Sequence, residues 1–533
     1  MTNDTQSPIL RATPLSPALF LERAAAVFSG RVAIVDGQRQ FTYAEFGDRA
    51  HRLAGLLSGA GIAPGDRVAA ICTNSHVMLE LHNAVPMAGA VLVPVNIRLA
   101  VEEMAHIVEH SGARMLVATE ELMEAARQVS RRTGVPLLAA GPADSEYERG
   151  LAAGSRQAFT LTDENSLLAI NYTSGSTGRA KGVMYSHRGA YLQSLAVAYH
   201  SRLDLDSRYL WTLPMFHCNG WCFTWAVTAA GGTHVCQRRI DPAAIWNMLC
   251  DGAITHMSGA PTLMNMVAQA AHAGERRKPS RPVQAGTGGA PPAPALLERL
   301  ADLNIQVTHL YGLTETYGPA VVNQWQPEWS EKPAVEQFRL NARQGIGNVV
   351  TERVTVFDPQ GVEVPADGQT MGEIVVRGNN VMLGYYRDDA ATHAAQINGW
   401  FRTGDLGVRH PDGYIELKDR AKDIIITGGE NVASVEVERA LLEHPAVAEA
   451  AVVAGIDPHW GEVPVAFITL RPGEAATAAE LMEFVRGRIA HFKAPREIRF
   501  EALPTTSTGK VQKHVLRARL DQTGGTGNGT ADT

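Results

Sequence analysis

The stretch NYTSGSTGRAKGV, residues 171–183, packs four serine and threonine hydroxyls, three glycines, an arginine and a lysine into thirteen positions. Gly and Ser make surface linkers, because they tolerate unusual dihedrals and bond locally to backbone. The neighbours argue for more. SLLAIN, residues 166–171, is an apolar run that reads as a buried strand. GVMYSHRGAYLQSLAVAY, residues 182–199, follows, and its second half is helical in pattern. A hydroxylated, glycine-rich turn between two ordered elements can cradle phosphate: backbone N–H groups approach the anion, hydroxyls donate to it and a lysine adds charge. It is not a Walker A loop, because Ala180 precedes Lys181 and Gly182 follows it.

Outward from this loop the chain alternates between helical and strand character. FTYAEFGDRAHRLAGLLSGAG, residues 41–61, sets Thr42 and Glu45 at capping-box spacing and closes on glycines. RVAAIC (67–72) and AVLVPVN (90–96) read as short buried strands, with a helix, HVMLELHNAVPMAG (76–89), between them. This alternation predicts an α/β fold with parallel-rich sheets covered by helices. From about Val354 the short strands RVTVFDP, GEIVVRG and GYIELKDR, parted by turns, predict a β-rich subdomain. Beyond KDRAKDIIITGGEN (418–431) the pattern becomes compact α+β. SVEVERALLEHP reads as a helix, AVAEAAVVAGI and PVAFITL as strands, and AAELMEFVRGRIAHF (478–492) as a helix. The expected organisation is a large N-terminal domain over 1–419, a hinge over 420–422, a small mobile C-terminal domain over 423–520 and a disordered Gly/Thr-rich tail over 521–533.

Composition narrows the function. The 533-residue chain carries a formal net charge of −7, which argues against a nucleic-acid binder. Its one dense basic stretch, GERRKPSRP (274–282), is flanked by Gly and Pro and reads as a solvated loop. Five scattered cysteines do not make a disulfide framework and fit a reducing compartment, so a cytoplasmic location is expected. HCNGWC (217–222) offers a histidine and two cysteines, but no second cluster completes a zinc site. No secretory signal or membrane-spanning run is apparent.

Four further segments give the opening loop its meaning. GTGGAPP (286–292) offers bare backbone against which a planar base or acyl chain could lie. YGLTET (311–316) supplies an aromatic face, hydroxyls and a carboxylate. GWFRTGDLG (399–407) places an aspartate between glycines, suited to both hydroxyls of a ribose. LPTTSTGKVQK (503–513) is a second hydroxyl-rich turn with lysines. Each alone is weak; together, in this order, they resemble the adenylate-forming superfamily over roughly residues 15–520. PMFHCNGW and GGENVASVEVE look most like its acyl-CoA synthetase branch.

The resemblance implies that ATP activates a carboxylic acid to an acyl-adenylate, releasing pyrophosphate, and that CoA thiol then displaces AMP. It implies that Thr173, Ser174, Ser176, Thr177, Gly178 and Lys181 hold phosphates, that Glu315 binds Mg²⁺ and that Thr314 meets the α-phosphate. Gly289, Ala290 and Pro291 would border adenine, with Tyr311 stacked on it and Gly312 beside it. Asp405 would take the ribose hydroxyls, and Arg420 would contact ribose or phosphate. Lys510 would bridge carboxylate and α-phosphate during adenylation. After rotation about Lys422, Gly428, Gly429 and Glu430 would face the pantetheine tunnel. His217, Trp221, Gly286 and Gly312 would line the acyl pocket, with His217 a gate or orienter. Gly220, Gly259, Gly286 and Gly312 could leave that pocket open to a long or bulky acid.

Two departures stand out: Ala180 replaces the proline usual before the loop lysine, and Ala433 stands where a bulkier or polar residue is frequent. Two alternatives stay open. One is an enzyme that performs a single half-reaction; the other is a silent nucleotide-binding homologue. The resemblance also implies a homodimer, with no stable membrane insertion.

Overall fold

The computed structural model describes residues 13–173, 180–273, 277–420, 422–427, 430–506 and 511–524. Two large sheets form the N-terminal domain. The first has nine strands, with a run of five parallel neighbours from Val283–Thr287 through His256–Gly259, Arg208–Trp211 and Thr233–Cys236 to Val32–Asp36. Ile305–Leu313 continues it in parallel and then pairs antiparallel with Gly318–Val322. The second sheet has seven strands, ordered Gly384–Tyr385, Gly182–Ser186, Leu167–Tyr172, Val91–Pro94, Arg67–Ile71, Ala113–Thr119 and Leu137–Ala140. Its last five strands are parallel and joined through helices, as the alternating pattern predicts.

Local chemistry fixes the elements. Thr42 caps the helix Tyr43–Gly59 with a reciprocal capping box to Glu45, as its spacing predicts. The phosphate loop differs from expectation in one respect. Gly182–Ser186 is a strand antiparallel to Leu167–Tyr172, so the loop closes a hairpin before the helix His187–His200 begins. Ser186 caps that helix by accepting from the Gly189 amide.

The two sheets meet over an aromatic core. Trp211, Trp225, Tyr209, Tyr185 and Tyr317 are fully or almost fully buried in it. Each such ring removes about 150–250 Å² from water, roughly 4–6 kcal/mol at about 25 cal/mol per Å². Tyr185 from the seven-stranded sheet stacks on Tyr317, in the turn that leads into the strand Gly318–Val322 of the nine-stranded one, at 3.7 Å and 12°.

The β-rich subdomain is a five-stranded sheet containing Arg353–Phe357, Gly372–Arg377, Trp400–Arg409 and Ile415–Arg420. The C-terminal unit has its own core, built on the antiparallel pair Val447–Asp457 and Gly461–Leu470. Its helix Ala478–Arg486 stops at Gly487, short of the predicted end at 492, because glycine is a poor helix former. The helix Lys513–Gly524 runs past residue 520, into the region read as tail; residues 525–533 lie outside the described set. Around the expected hinge, Asp419 accepts from the Ser434 amide, Asp423 pairs with Arg517, and Lys513 pairs with Glu438 at 2.7 Å. Among the described residues no helix is long and apolar enough to cross a membrane.

Candidate active site

The hairpin Leu167–Tyr172/Gly182–Ser186 delivers the phosphate loop, and the Thr173 amide donates to the Lys181 carbonyl at 3.0 Å to close its base. Ser174, Ser176, Thr177 and Gly178 lie outside the described residues. Lys181 is exposed, with its ammonium 4.8 Å from the centre of the Tyr385 ring, within cation–π range. Tyr385 sits on the short strand Gly384–Tyr385 that pairs with Gly182–Ser186. Its hydroxyl donates to Glu315 Oε1 at 2.7 Å. Burial, and then the Glu315 charge, push this phenol above its ordinary range, so it stays a donor. One tyrosine therefore joins the loop cation to the carboxylate of YGLTET. The Met382 amide fixes the Glu315 carbonyl at 2.8 Å, and Tyr185 donates to the Thr314 carbonyl at 2.6 Å.

A second cluster lies on the other arm. Asp405, on Trp400–Arg409, is 3% exposed. It accepts from the Tyr311 hydroxyl at 2.8 Å and pairs with Arg420 Nε at 3.1 Å. Cross-strand pairing sets Arg420 directly opposite Asp405. Gly289 has φ +88° and open space where a side chain would stand, and Ala290 beside it is exposed. Bare backbone thus faces outward there, as the sequence predicts.

The segment after His217 is the feature sequence reading missed. Cys218, Asn219, Gly220, Trp221 and Cys222 all have positive φ, between 44° and 62°, forming a left-handed helical turn. Four of the five carry side chains. At about 1–2 kcal/mol each, the turn stores roughly 4–8 kcal/mol of backbone strain. Burial of Trp221 together with Trp211, which packs on Gly220, is worth about 8–12 kcal/mol at the same rate and offsets it. The only sequence signal was Asn219-Gly220, a dipeptide tolerant of this conformation.

This turn lays Trp221 across the strand ends. A Cβ on Gly288 would lie 3.2 Å from the indole and one on Gly318 3.3 Å from Trp221 Cα. Cys218 Sγ is 3.6 Å from Thr314 Oγ1, tying the turn to the YGLTET segment. His217 begins the turn with its ring Nδ1 3.9 Å from Cys218 Sγ.

The four glycines read as opening the acyl pocket are instead filled by the protein itself. A Cβ on Gly312 would lie 2.0 Å from the Gly318 carbonyl oxygen, and one on Gly259 2.4 Å from Leu263. One on Gly220 would lie 2.7 Å from Trp211, and one on Gly286 2.9 Å from Ser258 Oγ. These glycines permit close packing and do not enlarge a cavity.

Within the C-terminal unit, Glu430 is exposed on the strand Glu430–Val432, whereas Gly428, Gly429 and Lys510 lie outside the described residues. Lys422, the expected hinge residue, is exposed, and its carbonyl accepts from Arg517. The expected residues therefore fall into three described groups: Thr173/Lys181/Glu315, Tyr311/Asp405/Arg420, and His217/Trp221/Thr314.

The fold and these three groups define an adenylate-forming enzyme of the acyl-CoA synthetase branch. The chain belongs to the AMP-binding enzyme family, whose profile matches residues 21–386; the AMP-binding enzyme C-terminal domain matches residues 436–510. It is 40% identical to an acetate–CoA ligase of Humulus lupulus, covering 96% of both chains. It is 41% identical to 4-hydroxybutyrate–CoA ligase 2 of Metallosphaera sedula, over 94% of both. A peroxisomal acetate/butyrate–CoA ligase of Arabidopsis thaliana is 40% identical, over 96% of this chain and 95% of that one. Among solved structures, ATP-bound MatB from Rhodopseudomonas palustris aligns with a TM-score of 0.84 at 28% identity, over 94% of this chain and 98% of that one. The o-succinylbenzoate CoA synthetase of Bacillus subtilis with its acyl-adenylate aligns at 0.81 and 27%, over 93% and 97%.

Proposed function

We propose that this enzyme makes the CoA thioester of a short-chain carboxylic acid. The activity is that of an AMP-forming acid–thiol ligase working in two steps. A carboxylate oxygen attacks the α-phosphorus of ATP, the bond to pyrophosphate breaks, and an acyl-adenylate forms. The CoA sulfur then attacks the acyl carbon, its proton leaves to solvent, and AMP departs.

The observation that carries the short-chain reading is Trp221 lying against the strand ends: a Cβ on Gly288 would be 3.2 Å from its indole and one on Gly318 3.3 Å from its Cα. Relatives named for acetate, butyrate, 2-methylpropanoate and 4-hydroxybutyrate support it.

Residue roles follow from chemistry. Thr173 and Lys181, with Ser174, Ser176, Thr177 and Gly178, take the outgoing phosphates. Asp405 accepts from the ribose hydroxyls, while Tyr311 and Arg420 hold its carboxylate in place and buried. Tyr311 shields the base that Gly289, Ala290 and Pro291 border. Thr314 donates to the α-phosphate, and His217 orients the acid. Lys510 compensates the charge that develops as two anions meet. Gly428, Gly429 and Glu430 receive pantetheine after rotation about Lys422. Glu315 fits Mg²⁺, because the Tyr385 hydroxyl occupies only its Oε1. The ion would neutralise phosphate charge there. The five free cysteines suit a reducing, cytoplasmic setting. A homodimer is part of the same reading.

A panel of acids from acetate to octanoate, assayed for thioester and for pyrophosphate with and without CoA, tests this. Thioester formation confined to acids of about two to five carbons is expected. Octanoate as the best substrate would overturn the short-chain reading. Pyrophosphate release without any thioester would favour the single-half-reaction alternative.

A further inference from the structure

Two arginines meet at the junction between the N-terminal domain and the C-terminal unit. Arg299 is on the helix Pro294–Asp302, and Arg471 directly follows the strand Gly461–Leu470. With Gln269 and His272, on the helix Pro261–Ala273, they line an open cleft of about 510 Å³. One wall is therefore N-terminal and the other C-terminal.

Each arginine is steadied by neutral oxygens. Arg299 donates to Asn265 Oδ1 at 2.8 Å. Arg471 Nε donates to the Val447 carbonyl at 3.1 Å, and its amide donates to the Ala446 carbonyl at 2.9 Å. Among the described residues neither guanidinium has a carboxylate partner, and Arg299 Nε is buried with no partner at all. Other enclosed arginines are paired: Arg49 with Glu80, Arg343 with Asp412 and Arg409 with Glu363. Burial, and then the Arg471 charge, hold the Arg299 guanidinium below its ordinary range. Two like charges held together, one with an orphaned donor, carry a cost that an anion between them would offset.

The donors define the ligand. Two guanidiniums supply charge for a dianion and forked N–H pairs that match phosphate oxygens. The His272 ring meets the Ala268 carbonyl through Nδ1 at 2.7 Å, which leaves Nε2 to accept from a P–OH group or, when protonated, to donate to a P–O⁻. The Gln269 amide adds a neutral donor. Among the described residues no acidic side chain lines the cleft to repel an anion.

We propose that this cleft is a second anion site, taking inorganic phosphate or the pyrophosphate that the first step releases, and that the bound anion ties the C-terminal unit to the N-terminal domain. The tie rests on the rotating-domain reading. Rotation about the expected hinge at Lys422 would part Arg471 from Arg299, so an anion held by both favours the arrangement in which they meet.

The test titrates phosphate, pyrophosphate and acetate into the full-length protein by calorimetry, with Arg299→Gln and Arg471→Gln beside the parent. A non-hydrolysable ATP analogue fills the nucleotide site throughout, so that the phosphate loop is not read. Loss of one charge-assisted contact should weaken binding of phosphate and of pyrophosphate about tenfold or more in each variant. Either anion in the cleft supports the site, and the tighter one names its source; acetate bound as tightly as both overturns the phosphate class. Without anion, each variant should keep or raise the thermal midpoint, because it removes a like-charge contact. Phosphate should then raise the midpoint of the parent and leave the variants nearly unmoved. A merely structural pair would instead lower the midpoint of the variants without anion. Trypsin cleavage after Arg420 or Lys422 reads the tie: phosphate should slow it in the parent and in neither variant. Phosphate affinity within about twofold of the parent in both folded variants overturns the site. Equal protection from trypsin in parent and variants overturns the tie. Neither readout uses the acid or the thioester, so failure here is distinct from failure of the proposed function.

Discussion

Replacing Asp405 with alanine should weaken AMP binding in a way that stability loss does not explain. The carboxylate is buried, and two partners hold it: the Tyr311 hydroxyl at 2.8 Å and Arg420 Nε at 3.1 Å. A charge-assisted hydrogen bond to ribose is worth about 1.5–3 kcal/mol, or roughly ten- to a hundredfold in Kd. The folded protein also loses stability. Arg420, with its side chain 33% exposed, can turn to solvent. The fully enclosed Tyr311 hydroxyl cannot, and an orphaned buried donor costs about 1–3 kcal/mol. Tyr311→Phe added to Asp405→Ala removes that orphan. The double variant should regain most of the thermal midpoint and none of the AMP affinity. Titration calorimetry with AMP, beside scanning calorimetry, reads both. An AMP affinity within twofold of the parent, in folded Asp405→Ala protein, would remove Asp405 from the nucleotide site. Recovery of AMP binding in the double variant would show that the aspartate acts only by supporting Tyr311.

Lys510→Ala should abolish acyl-adenylate formation and largely spare thioester formation from supplied acyl-adenylate; equal loss in both half-reactions of a folded protein contradicts the rotating-domain reading. Tyr385→Phe keeps the ring beneath Lys181 but removes the hydrogen bond to Glu315, so KM for MgATP should rise about tenfold; a value unchanged across Mg²⁺ concentrations would detach Tyr385 from metal handling. Asp36, His76 and Glu148 form a buried polar cluster, with Asp36 and His76 2.6 Å apart and Arg238 donating to both Asp36 oxygens. Burial disfavours both charges, yet the hydrogen bonds prevail: those from His76 and Arg238 hold Asp36 below the usual carboxylate range, and those to Asp36 and Glu148 raise His76. The Asp36 contribution is complete above its unfolded value near 4 and fades as pH falls. The His76 contribution is complete below about 6.5 and fades as pH rises through its raised folded value. The midpoint difference between parent and Asp36→Asn should therefore peak between about pH 4 and 6.5; a difference growing steadily to pH 9 refutes the pairing.

Much of this architecture is legible in the chain. The capping box at Thr42, the short apolar strands and the β-rich texture after Val354 are local signals, and the structure realises them. The hairpin at the phosphate loop is less legible, because GVMYS is short and runs directly into a helix that dominates the pattern. The left-handed turn is nearly invisible: its conformation is imposed by Trp211 and by Asn171, which accepts from the Asn219 amide at 2.8 Å, from elements distant in sequence. The same holds for Asp36, His76 and Glu148, which come from three separate elements with no common spacing. The glycines misled for a related reason. Sequence shows that a side chain is missing, and only tertiary packing shows what takes its place.

The turn also sets a thiol beside the segment proposed for the α-phosphate. Cys218 Sγ lies 3.6 Å from Thr314 Oγ1, in the segment assigned to the α-phosphate. An acyl-adenylate is built to be attacked by a thiol, so the enzyme risks modifying itself before CoA arrives. Burial pushes the Cys218 thiol up to about 12. A thiol held protonated there is a poor nucleophile, so an acyl-adenylate formed beside it would be kept for the substrate thiol.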